Sequence, residues 1–166
     1  MEPSSHQPTA VGTALVHVSN AFFELLDYDG DTSILADAYT PNGLVALGSS
    51  GGIILTGQTD GPVQVTVELY SQTPPVTLAD WGDVVETTQH TDSGQVSVCV
   101  TITGDNAPDL PPLRTEPDSW FGLRVHARGR SIGREYVVAP PDVVESYLLQ
   151  MWPVDGPTTE IVHRKA

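Results

Sequence analysis

Between Val63 and Tyr70 the chain reads VQVTVELY, so Val63, Val65, Val67 and Leu69 alternate with Gln64, Thr66, Glu68 and Tyr70. An α-helix cannot gather that alternation on one face, whereas a strand puts odd and even residues on opposite faces. The segment is therefore a strand with one covered side. The pattern returns at Val96, Val98, Val100 and Ile102, and again in Trp120–Arg130, WFGLRVHARGR. In that last stretch Phe121, Leu123, Val125 and Ala127 form the apolar row, and Trp120, Arg124, His126 and Arg128 a cationic outer row.

Turn chemistry separates these runs. Asp27–Thr32 (DYDGDT), Pro41-Asn42-Gly43, Gly48–Gly52 (GSSGG), Asp60-Gly61-Pro62 and Thr91–Gly94 (TDSG) are all turn signals. Thr13–Leu26 reads as one long strand with a bulge or bend near Asn20, because Phe22 and Phe23 cannot both point inward. Val84–Gln89 and Gln95–Thr103 are expected to pair as a hairpin around TDSG. The proline-rich stretch Gly104–Ser119 predicts a surface loop. Val143–Trp152 fits a helix or a buried strand. Its flanking prolines favour a strand from about Ser146, and Thr158–His163 adds a short edge strand.

Eight or nine strands at near-regular spacing, with little helix, predict an all-β fold. The expected architecture is a single-domain antiparallel β-sandwich, jelly-roll-like, with a barrel as second choice. Residues 1–12 are expected to be a flexible tail, and residues 13–166 the domain. No apolar run reaches the ~18 residues of a membrane span. The N-terminus MEPSSHQPTA does not read as a secretory signal, so a cytoplasmic location is expected.

Charge narrows the choice of partner. The net charge is −14, and no Lys or Arg precedes Arg114. Nucleic acid and anionic membranes need a cationic footprint, so neither is expected as a partner. The negative field has two readings: it keeps a protein dispersed in solution, or it speeds encounter with a partner that has a basic surface. The acids cluster at Asp27, Asp29, Asp31 and Asp37, and again at Asp80, Asp83 and Glu86 around Trp81. These eight residues are the candidate contacts for a basic partner, with Trp81 as the aromatic anchor.

Catalytic and metal motifs are not found. DYDGDTSILAD puts Asp27, Asp29 and Asp31 at the first three ligand positions of a calcium loop. Thr32 stands where Gly is needed, however, and Ala38 where Glu is needed, so an acidic turn is the alternative reading. His6, His17, His90, His126 and His163 lack metal-ligand spacing. GSSGG has neither the Lys of a phosphate loop nor the context of a nucleophile elbow. Cys99, in mid-strand, reads as a packed thiol. No cofactor is implied. Opposed acids are expected to pair with the Arg124 row inside the fold, and the flanking cations to disfavour a charged His126.

The order of features resembles small bacterial β-sandwich proteins related to the competence-associated inhibitor of a DNA-entry nuclease. The similarity rests on VHVSNAFFEL, on the two strands and small-residue loop within Leu44–Tyr70, on WFGLRVHARGR, and on the closing YLLQMWP. It spans about Ala14–Pro153. It implies a non-enzymatic inhibitor or immunity protein that blocks a nuclease or toxin, and it transfers no individual binding residue. A sandwich that binds a sugar or other small molecule on Trp81, Trp120 or Trp152 is the alternative.

Overall fold

The computed structural model describes residues 6–28, 40–100, 107–136 and 138–166. Within them the chain is nearly all β and forms a sandwich-like single domain, as the alternation predicts. Among the described residues there are eleven strands, where eight or nine are expected. One sheet holds, in spatial order, β1 (Ala10–Val18), β5 (Gly61–Leu69), β10 (Ser146–Val154), β9 (Ser119–Arg128), β6 (Asp83–Thr91) and β11 (Ile161–Arg164). The other holds β3 (Val45–Gly48), β4 (Gly51–Leu55), β2 (Phe22–Asp27), β7 (Gln95–Cys99) and β8 (Leu113–Arg114). Pairing is antiparallel except between β5 and β10, which run parallel. That pair departs from the all-antiparallel arrangement expected of a jelly roll. One helical turn, α1 (Arg130–Gly133), follows β9.

The inward rows are those the alternation marks. Val63, Val65 and Val67 on β5 are fully buried with Phe121, Leu123, Val125 and Ala127 on β9, and Val96 and Val98 of the second sheet join the same core. Phe23 of β2 meets Tyr147 of β10 edge-to-face across the sandwich, with ring centroids 5.3 Å apart. Segment 143–152 resolves as the strand reading, with β10 starting at Ser146. The expected edge strand appears as β11.

Four expectations are corrected. Thr13–Leu26 is two strands in different sheets, because Asn20 and Ala21 both take the left-handed conformation (φ 58° and 66°) and reverse the chain. The loop after β4 holds this turn, through Thr56 N–H donating to Ala21 O and Ala21 N–H donating to Thr59 O. The TDSG hairpin is not a hairpin: β6 and β7 belong to opposite sheets, and Thr91–Gly94 carries the chain across the end of the sandwich. The first strand begins at Ala10, inside the expected tail, and pairs along its length with β5. Within the proline-rich stretch, Ala107, Leu110 and Leu113 join the core, so part of that loop closes the sandwich. Among the described residues no helix is long and apolar enough to cross a membrane.

Candidate functional site

The middle of the outer row of β9 is buried, while Trp120 is half-buried and Arg128 exposed. Arg124 and His126 are each about 1% accessible, with Pro74 and Pro75 packed on the arginine and Trp81 on the histidine. Period two identifies a face but does not reveal a further layer above it. Register aligns Glu86, Arg124, Gln150 and Glu68 across four neighbouring strands. Arg124 Nε and Nη2 both reach Glu86 Oε1 at 2.7 Å, and Nη1 donates to Gln150 Oε1 at 3.0 Å and to the carbonyl oxygens of Pro74 and Pro75. Gln150 Nε2 donates to Glu68 Oε1, which also accepts from the Tyr70 hydroxyl. Burial and the Glu68 carboxylate push the Tyr70 phenol up to about 12. Trp152 is 2% exposed and covers Gly122, where any Cβ would strike its indole ring, and the Arg124 guanidinium lies 5.2 Å from that ring's centre. The row is a buried polar network, and its arginine is a counter-charge, as expected from the surplus of acid.

His126 sits beside this network. Its Nδ1 donates to Leu148 O at 3.0 Å, and Trp81 packs on its ring at 5.4 Å. Burial, with the Arg124 guanidinium adding to it, pushes His126 down to about 4 against the opposing Leu148 hydrogen bond. An unfolded histidine takes up its proton near 6.5. Between those values the unfolded chain binds more protons, so this part of the stability is complete above the upper value and disappears as pH falls toward the lower. Moving from neutral pH to about 4 should cost roughly 3 kcal/mol through this group. Urea unfolding at both pH values should show that loss in the wild type and much less of it in His126→Gln, which keeps a donor for Leu148 O.

Of the eight candidate contacts the structure describes Asp27, Asp80, Trp81, Asp83 and Glu86. Asp83 pairs with Arg130 at 3.3 Å, and Glu86 is held by Arg124 and by His163 Nε2 at 3.1 Å. Both are internal counter-ions. Asp80 is exposed, but the Trp81 ring beside it is taken by the Arg128 guanidinium at 4.8 Å. Asp27 is buried at 6%. Its carboxylate accepts from Asp92 N–H at 2.7 Å, from Ser93 N–H and from the Ser93 hydroxyl, fixing the crossing turn. Asp29, Asp31 and Asp37 lie outside the described residues, as does most of the proposed calcium loop. Among the described residues no group of three His, Cys, Asp or Glu is placed to hold a metal. Cys99 is buried, as expected of a packed thiol.

A different set does come together at the pole Asp27 helps to build. Asp118 Oδ1 lies 2.7 Å from His90 Nε2, and Asp92 Oδ1 lies 3.4 Å from His90 Nδ1. Asp118 N–H donates to Asp92 O, tying the β6–β7 turn to the start of β9. Glu116 is exposed nearby in sequence, and the Trp120 ring meets His90 edge-on at 5.4 Å. Between this cluster and the β3–β4 hairpin runs a groove of about 470 Å³. Sequence reasoning passed over these residues because Asp92 and Asp118 are distant in the chain. The pairings His90–Trp120 and Thr91–Ser119 bring them together, and the Asp118 N–H bond to Asp92 O closes the contact. The one legible signal was the Asp in TDSG.

Fold and site together define a class: an all-β, two-sheet single domain with paired internal arginines and an acidic pole. The chain is similar in structure to ComJ of Bacillus subtilis, an inhibitor of the DNA-degrading activity of NucA, with TM-score 0.58 and 12% identity over 86% of this chain and 95% of that one. It is also similar to crocagin biosynthetic gene J, with TM-score 0.51 and 12% identity over 87% and 97%. The resemblance read from the sequence therefore holds at the level of fold. No family model and no curated protein sequence matches the chain.

Proposed function

We propose that this chain is a non-enzymatic inhibitor or immunity protein that neutralises a basic protein partner such as a nuclease or toxin. The observation that carries the reading is a ComJ-like fold with a surplus of outward acid. Among the described residues ten exposed carboxylates face five exposed Arg and Lys, while Arg124 and Arg130 are spent on internal pairs. Such a surface attracts a basic partner and speeds encounter. The proposal includes a cytoplasmic location and no nucleic-acid or membrane partner, for the charge reasons already given. The small-molecule alternative is the weaker reading, because Trp152 is covered and Trp81 is occupied by Arg128.

The test is to mix the purified chain with nucleases and toxins encoded in adjacent reading frames. DNA degradation or toxicity should fall stoichiometrically, and affinity should weaken as salt rises. Binding that ignores salt, or no inhibition of any of them, would overturn the proposal.

A further inference from the structure

The acidic pole contains a feature that surface charge alone does not produce. Gln89 is only 6% exposed and lines the groove between β6 and the β3–β4 hairpin. Its Nε2 donates to Gly48 O at 2.9 Å, so the amide orientation is set, yet its Oε1 has no hydrogen-bond partner. A buried acceptor left without a donor is unfavourable, and a donor N–H that reaches it removes that cost. Asp92 lines the groove and Asp118 stands next to it across His90; their side chains are 81% and 89% exposed and approach the imidazole from either side. A single imidazole, even protonated, cannot neutralise both of them together with Glu116. Trp120 adds an aromatic wall.

Acceptor, carboxylates and indole together are what a guanidinium requires: in-plane oxygens for its N–H groups and a ring to lie against. We infer that this groove receives an arginine side chain of the basic partner, with Gln89 Oε1, Asp92 and Asp118 as acceptors and Trp120 as the stacking wall. The inference rests on the partner-neutralising reading and locates its contact at the β6–β7 pole. The Asp80–Trp81 cluster does not fill this role, because Arg128 already lies on that indole and would repel a second cation.

The test uses the whole chain and an amidated tetra-arginine peptide, with affinity measured by calorimetry at low salt. Asp92→Asn/Asp118→Asn should weaken binding about tenfold, and Gln89→Leu about threefold. Asp142→Asn/Asp155→Asn removes the same charge from exposed positions elsewhere and should change affinity less than about twofold. Melting temperatures of all three variants confirm folding. Equal losses from the two Asp pairs, or no peptide binding by the wild type, would overturn the groove assignment. If the groove variants still neutralise a nuclease or toxin as wild type does, the inference falls and the functional reading stands. If the peptide occupies the groove but no nuclease or toxin is inhibited, the reading falls and the groove stands as an arginine site.

Discussion

Glu145→Ala should be among the most damaging single substitutions in the chain, lowering stability by about 3–5 kcal/mol. The carboxylate is fully buried. It accepts from Gly57 N–H at 2.7 Å, Gln58 N–H at 2.5 Å and the Tyr147 hydroxyl at 2.6 Å. Burial, together with this neighbouring carboxylate, pushes the Tyr147 phenol well above its ordinary range. The loop it pins also holds the left-handed Asn20–Ala21 turn that sends the chain from one sheet to the other. Truncation strands three buried donors and loosens that crossing. Glu145→Gln keeps the shape but turns an amide N–H₂ toward backbone donors, so it should recover only part of the loss. Urea unfolding measures both, and a cost below about 1 kcal/mol for the alanine variant would show that the loop is held by other contacts.

Arg124→Ala should cost a comparable amount, about 3–5 kcal/mol, and lower Tm by on the order of 10 °C. The reason is the neighbours it abandons. Glu86 keeps only His163, and the Gln150 amide oxygen and the Pro74 and Pro75 carbonyls lose their donor in a covered layer. Replacing both ends of the pair, as Arg124→Met/Glu86→Leu, should recover only the part of the loss due to the stranded Glu86 carboxylate, since Gln150 and the Pro74 and Pro75 carbonyls stay without their donor. Affinity for the tetra-arginine peptide should not change in the double variant. A variant that melts like wild type yet no longer binds would reverse the assignment of this row from structure to recognition.

Much of the fold is legible in the sequence, because alternation is a direct consequence of strand geometry. Val63–Leu69, Phe121–Ala127, the strand from Ser146 and the edge strand near Ile161 all stand where the pattern puts them. Sheet membership is less legible. The breaks at Asn20–Ala21 and Thr91–Gly94 look like a bulge and a hairpin because period two records faces, and both segments keep an apolar face while changing sheets. The candidate site was legible only in its chemistry. An excess of acid pointed to a basic partner, but which acids stay outside depends on register. Glu86 falls opposite Arg124 and Asp83 is paired by Arg130 of α1, so both are consumed, whereas Asp92 and Asp118, with β7 and β8 between them in the chain, meet over His90. His126 shows the same limit: its suppressed charge was foreseen from the arginines beside it, but burial is the larger cause.

The most direct test of the central claim, that internal arginines are structural and the β6–β7 pole is the contact surface, is a residue-resolved NMR titration of the chain with tetra-arginine peptide at low and high salt. Amide and side-chain signals of residues 88–92 and 116–120 should shift saturably at low salt and return toward their free positions at high salt. Shifts centred on residues 80–86 and 124–130, or spread without a centre over the acidic surface, would contradict it.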